Sequence, residues 1–346
     1  MFERLSLEEA LLRHTDDNWI LLGTHDVWPP KFLRPSTGGL ELPKYLYVDD
    51  DDDGNQHRMN TDCMIVMGIG GKPERLLNIQ NVVNDKVMVV KRFSGGGTVV
   101  MDHNSVWTTL IGRTTDFSSV EPYPRSIMQW SADAVFGPAF DKLTRHVQDS
   151  HSSSQNKKRP AATVSLSSGR LIAGGGGKKT LVMDTKSCSA TENTGKILHL
   201  PTDDVSSSLP PNIPSFALRE NDYVLGDDYK MGGNAQSIVK GGWLHHTSFL
   251  WDYEDSHMQD YLKLPDKRPD YRKSRPHRDF LVPLSRYFGT SYTPFVKCVR
   301  EACETSFDLQ VAHLPTVLQE VIVDELGGHE AWFAKNRTRI VVDLET

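Results

Sequence analysis

Two glycine-rich stretches, each carrying one cation, hold the residues with the most chemical potential: Arg92-Phe93-Ser94-Gly95-Gly96-Gly97-Thr98 and Lys230-Met231-Gly232-Gly233-Asn234-Ala235. Glycine has no β-carbon, so consecutive glycines let main-chain amides approach an anion or lie flat against an alkyl chain. Arg92 adds a planar fork of donors suited to a carboxylate or phosphate. Lys230 adds a compact ammonium suited to an oxygen that gains negative charge in a transition state, a contact worth about 3 kcal/mol. Asn234 can fix a polar ligand atom. Each stretch taken alone is equally a tight turn with a solvated cation. Together they suit closure over one elongated substrate with a negative head. Neither matches GxGxxG or GxxxxGK[ST], so no nucleotide fingerprint is present.

Other polar residues carry weaker signals. Asp222 is either a turn former or a group that orients an incoming amine, takes its proton or holds a divalent cation. Asp102 and Asn104 beside the first stretch read as turn formers. His245 and His246 are adjacent, so in a strand they face opposite ways, which argues against a metal site built from both and leaves one, His246, to line a pocket. The four cysteines, Cys63, Cys188, Cys298 and Cys303, show no CxxC or Cys/His metal spacing. They fit a reducing compartment, with Cys298 and Cys303 in a helix core and Cys188 in a poor setting for a nucleophile. No GxSxG elbow or HExxH segment occurs.

The elements that must position these residues follow from patterning. Ser6-Leu7-Glu8-Glu9 reads as a capping box opening an amphipathic helix. Strands are expected at Trp19 to Gly23, Cys63 to Gly68, Val87 to Val90, Thr98 to Met101 and Val106 to Ile111. The strand, glycine turn and return strand around Gly95 predict a hairpin-like element. Pro73 opens a short helix through Leu77, and the run Asp49 to Asp53 reads as a solvated loop. Pro124 to Val147 predicts a long helix kinked at Gly137-Pro138. Residues 148–214, with serine and glycine runs and few aromatics, predict a flexible insertion holding a strand pair near Thr163 and Leu181. Strands then resume at Phe216 to Leu218, Tyr223 to Leu225, Ile238-Val239 and Leu244 to Leu250. Helices follow at Pro294 to Phe307 and Pro315 to Leu326, with a last strand at Arg339 to Leu344. The fold class expected is α/β (α+β), a largely antiparallel sheet flanked by helices.

Composition sets outer limits. The 346 residues are 38% hydrophobic and 24% charged, enough for a sizeable core, and the formal net charge of -6 argues against general nucleic-acid binding. No run approaches the ~20 apolar residues of a membrane helix. The opening residues lack a basic, acid-poor leader, leaving cytoplasm or mitochondrion as the expected compartment.

The ordered set of motifs resembles one family. Val66-Met67-Gly68, Asn78 and Lys91 through Asp102 are similar to the glycine-rich region of the lipoate-protein ligase A family. Asn221-Asp222, Lys230 through Gln236 and His245 through Leu250 resemble its second and third motifs in the right order. The resemblance implies a biotin/lipoate protein ligase catalytic domain over 1–290 with an insertion at 148–214. Residues 291–346 would then form a helical extension packed on it, without a full accessory domain. It implies ATP-dependent activation of lipoate or octanoate to an acyl adenylate, with Mg2+. The acyl group then passes to a lysine on a lipoyl domain of a 2-oxoacid dehydrogenase E2 or on a glycine-cleavage H protein, with a separate accessory subunit as a further possible partner.

Carried onto this chain, the resemblance makes Lys230 the lysine bridging carboxylate and α-phosphate. Arg92, Ser94, Gly95, Gly96 and Gly97 would line the acyl and adenylate channel, joined by Gly232, Gly233, Asn234 and His246. Gly97, Thr98, Asn234 and Lys230 would meet the nucleotide, and Asp222 would face magnesium or the acceptor lysine. Three departures stand out: Met101 in place of a histidine, Phe93 in place of a small or polar residue, and Gly232 in place of a serine. The alternatives are an octanoyl or lipoyl transferase without its own adenylation step, a catalytically silent binding protein that keeps the pocket, and, more weakly, a biotin ligase. The transferase lacks the expected cysteine between Lys230 and His246, leaving only Cys298 as a candidate.

Overall fold

The computed structural model describes residues 1–23, 60, 62–102, 104–155, 180–184, 212–264, 268–341 and 344. The expectations for Asp49 to Asp53, Thr163, Cys188 and most of 148–214 lie outside the described residues. After an opening helix, α1 (Phe2–His14), come strands β1 (Asn18–Gly23), β2 (Cys63–Met67), β3 (Met88–Lys91), β4 (Val99–Asp102) and β5 (Ser105–Arg113). Next are β6 (Thr180–Asp184), β7 (Phe216–Arg219), β8 (Asp222–Leu225), β9 (Tyr229–Lys230), β10 (Gly232–Val239) and β11 (Gly242–Leu250). The chain closes with β12 (Leu309–Val311) and β13 (Arg339–Ile340).

Six strands form one sheet in the order β10-β11-β5-β1-β6-β12, four form a second in the order β13-β3-β2-β4, and β7-β8-β9 form a third. The expected class, α/β with mainly antiparallel sheets flanked by helices, is the one observed. One face of the large sheet packs on α1, through residues such as Trp19, Leu21, Trp107 and Leu244. The other face, through Ile20, Leu22, Val106 and Leu110, packs on the helices Pro124–Gln155 and Thr293–Ser306.

Four local expectations need correction. Helix α1 starts at Phe2, four residues before the supposed cap, and is buried on nearly every side. Ser6 and Glu9 therefore serve tertiary contacts: Asn336 Nδ2 donates to Ser6 Oγ at 2.9 Å, and the Arg337 amide donates to Glu9 Oε2 at 2.9 Å. The predicted hairpin does not form either. β2 lies between β3 and β4, parallel to the first and antiparallel to the second. Parallel pairing demands a crossover, which the short helices Pro73–Leu76 and Ile79–Asn84 supply. The arm Arg92 to Thr98 thus spans across β2 instead of turning tightly.

At Gly137-Pro138 the long helix continues to Gln155, past the expected end. The ladder slips ahead of the proline in a π turn, Ala132–Phe136, where the Gly137 amide donates to Ala132 O. Proline has no N–H for Ala134 O, and Ser306 Oγ donates to that carbonyl at 3.4 Å. Finally, β6 within 148–214 is a strand of the main sheet, parallel to both β1 and β12. The C-terminal residues likewise add β13, at the start of the expected last strand, to the second sheet, and β12, which was not expected, to the first.

Candidate active site

The two glycine stretches lie against each other at the free edge of β10. The Gly95 amide donates to Gln236 O at 2.9 Å. Gly96 has φ +97°, and a β-carbon there would stand 2.8 Å from both Arg92 Nη2 and Asn234 O. Gly232 is equally constrained, since a β-carbon would sit 2.3 Å from Ser248 O. That explains why this position holds no serine. The contact makes two spaces. A cavity of about 80 Å³ is lined by Arg92, Gly97, Thr98, Val99, Trp107, Lys230, Gly233, Asn234, Ala235, His246 and Ser248. On the outer side, an open groove of about 480 Å³ takes in Gly95, Gly96, Tyr123, Arg125, Asn221, Asn234 and Gln236. Ser94 and Gly232 line neither.

Behind the cavity runs a buried polar chain that starts at α1. Arg4 Nε donates to Glu8 Oε1 at 2.9 Å, and Thr109 Oγ1 and Trp107 Nε1 donate to the same oxygen at 2.6 and 3.1 Å. Glu8 Oε2 stands 3.0 Å from His246 Nδ1, and His246 Nε2 stands 2.9 Å from Ser94 Oγ. A carboxylate only accepts, so Nδ1 carries the imidazole proton and Nε2 accepts from the Ser94 hydroxyl. Burial lowers the His246 pKa and keeps the ring neutral. Burial also opposes ionisation of Glu8, but the donors around it and the Arg4 charge outweigh that and hold it well below the ordinary carboxylate range.

The chain ends on Arg92, which is only 2% exposed. Its Nε donates to Ser94 Oγ at 3.1 Å, Nη1 to Val66 O at 3.2 Å, and Nη2 to Gly95 O and Gly97 O at 2.8 and 2.7 Å. Burial lowers its pKa to about 10, so it remains a cation near neutrality. The fork expected to meet a ligand is largely spent on the carbonyls of its own loop. Arg92 walls the cavity and shapes it.

The rim differs. Lys230 Nζ lies 2.6 Å from Asp222 Oδ1, and Tyr271 Oη donates to Asp222 Oδ2 at 2.9 Å. The Lys230 carbonyl accepts from the Val282 amide at 3.0 Å, pinning β9 between β8 and the following segment. Asn234 is oriented by Thr247 Oγ1, which donates to its Oδ1 at 2.9 Å. His245 points away from His246, as expected. Gln236 Nε2 faces its Nδ1 at 3.2 Å and Tyr223 Oη faces its Nε2 at 3.0 Å, and burial pushes its pKa down to about 3.

The departures noted in the sequence have local explanations. Met101 is buried, with Ser248 Oγ 3.2 Å from its sulfur, and Phe93 sits in the core with its ring 6.4 Å from that of His246. Cys298 is buried between two helices, its thiol raised by burial and 3.8 Å from His146 Nδ1. Among the described residues no cysteine lines the cavity. Thr98 Oγ1 and Arg272 Nη2 are buried polar atoms without a hydrogen-bond partner. The first belongs to the cavity wall, an arrangement that fits a ligand oxygen. Among the described residues no group of three or more His, Cys, Asp or Glu could hold a metal ion, and both Asp222 oxygens are engaged. Among the described residues no protein-built magnesium cage is assembled.

Sequence reasoning missed Glu8, Trp107 and Tyr271. Glu8 sits one turn from Arg4, the spacing of an ion pair, but its place in a capping-box pattern masked that. Trp107 lay in an apolar strand with nothing to distinguish it from core.

Residues 47–138 and 202–308, more than half the chain, match the lipoyl protein ligase A/B catalytic domain. A Plasmodium falciparum protein named inactive lipoate–protein ligase 2 is 25% identical over 298 residues, covering 81% of this chain. The chain spans 60% of that relative's length. Among solved structures, a lipoate-protein ligase A bound with ATP aligns at 14% identity with a TM-score of 0.46, covering 96% of this chain and 92% of its own. Plasmodium falciparum LipL1 in complex with lipoate aligns at 15% identity with a TM-score of 0.44, covering 96% and 67%. Among the described residues no helix is long and apolar enough to cross a membrane.

Proposed function

The chain belongs to the lipoyl protein ligase A/B catalytic-domain family, and from that premise we propose that it activates lipoate or octanoate with ATP and passes the acyl group to a protein lysine. The observation that carries this reading is the shared cavity: Lys230, Gly97, Gly233 and Thr98, whose hydroxyl is unpartnered, line one partly open space. The acyl chain would enter between Trp107, Val99 and His246, with its carboxylate directed to Lys230. ATP supplies the phosphorus that a carboxylate oxygen attacks, releasing pyrophosphate and leaving AMP as a good leaving group. Lys230 would neutralise the charge on the carboxylate and α-phosphate oxygens, Thr98 and Asn234 would hold nucleotide oxygens, and the enclosure would limit hydrolysis.

In the second step an acceptor lysine amine attacks the acyl carbon, the bond to AMP breaks, and the amine's proton passes to Asp222. Asp222 is already placed beside Lys230 and oriented by Tyr271. The acceptor in this proposal is a lipoyl domain of a 2-oxoacid dehydrogenase E2 or a glycine-cleavage H protein, with a separate accessory subunit as a further partner. The Plasmodium relative, named inactive, favours one second reading, a catalytically silent protein that keeps the pocket. Incubation of the full chain with ATP, magnesium and lipoate or octanoate, with and without a lipoyl domain, followed by intact mass, separates the two. A lipoyl or octanoyl adduct on the domain supports ligation. Binding without pyrophosphate release or adduct supports the silent protein.

A further inference from the structure

Resting on the ligase reading, we propose that Trp107 is the residue that sets acyl specificity, closing the inner end of the pocket so that a straight alkyl chain is accepted over the ring-bearing lipoyl tail. The cavity measures about 80 Å³. A cavity of about 150 Å³ is what it takes to hold benzene, and one water occupies about 30 Å³ of liquid. Either acyl tail must widen this space or extend through its open side, and a thin flexible chain does so with less displacement of the wall than a five-membered disulfide ring with its tether.

Trp107 is the largest side chain in the cavity wall and is 2% exposed. It is also held fast. Its Nε1 donates to Glu8 Oε1 at 3.1 Å and faces Thr109 Oγ1 at 2.9 Å, and its ring centroid lies 4.7 Å from that of His246. Swinging it aside would break the hydrogen bonds to Glu8 and Thr109 and leave Glu8, fully buried, with one donor fewer. A pinned indole is a wall, whereas an unanchored one would be a gate. Around it the wall combines small residues such as Gly97, Thr98, Gly233, Ala235 and Ser248 with Arg92 and His246, which their own hydrogen bonds hold in place.

The test is calorimetric binding of octanoate and of lipoate to the full chain in the presence of ATP, for the native protein, Trp107→Leu and Trp107→Phe. The native protein is expected to favour octanoate, Trp107→Leu to shift the lipoate-to-octanoate affinity ratio about tenfold or more towards lipoate, and Trp107→Phe to keep the native preference. Circular dichroism melts on all three exclude unfolding as the cause. Equal ratios across the three proteins, or a native preference for lipoate, would overturn the role of Trp107 and leave the ligase reading intact. Binding of neither carboxylate by any of the three would overturn both.

Discussion

The inner wall and the rim of the pocket are built on opposite principles. Inside, Glu8, His246, Ser94 and Arg92 are almost wholly buried, and each makes hydrogen bonds to protein partners. At the rim, the Lys230 and Asp222 side chains are 24% and 10% exposed. The inner groups contribute shape, because a fully satisfied polar chain fixes where the glycine arm lies. In the proposed reaction the rim groups would contribute reactivity, because Lys230 can exchange Asp222 for substrate oxygens. On that reading, the charged residues around one pocket divide into those that hold and those that act.

Mutation should break this division unevenly. Glu8→Ala leaves Arg4 and His246 buried without their shared acceptor, and a loss of about 3–5 kcal/mol is expected in urea denaturation. Arg92→Lys keeps the charge but cannot span Gly95 O, Gly97 O and Ser94 Oγ together. A cost of about 2 kcal/mol is expected by the same measurement. An unchanged midpoint for either would mean the inner wall is not a scaffold.

Acid sharpens the comparison from the other face of β11. The folded pKa of His245 is depressed from 6.5 to about 3, so the unfolded chain binds the proton first. The stability this neutral imidazole contributes is complete above pH 6.5 and is lost as pH falls towards 3. His245→Phe should flatten that part of the stability–pH curve, measured by thermal melts between pH 3 and 7. A curve parallel to the native one would assign the acid sensitivity elsewhere. Tyr271→Phe removes one hydrogen bond at the rim and should cost no more than about 1 kcal/mol.

The sequence carried much of the rim and little of the inner wall, for physical reasons. Lys230, Asp222 and the glycines announce themselves, because a cation beside consecutive glycines is an unusual local combination. The strands at Cys63, Val87 and Val106 were equally legible as apolar runs. What could not be read was their order: β2 falls between β3 and β4, and no local signal distinguishes a hairpin from two strands that flank a third. Glu8 was misread for a related reason. Its partners Trp107, Thr109 and His246 lie about a hundred residues or more away along the chain, so a local capping pattern was the nearest available explanation. Arg92 lies in the cavity wall, but the carbonyls that absorb its donors belong to a loop conformation that the motif alone does not specify.

The division of labour is tested most directly at Lys230. In Lys230→Ala the account predicts a melting temperature close to that of the native protein, together with a fall of about 100-fold or more in ATP-dependent pyrophosphate release with octanoate. Pyrophosphate release at the native rate by a folded Lys230→Ala protein would contradict it.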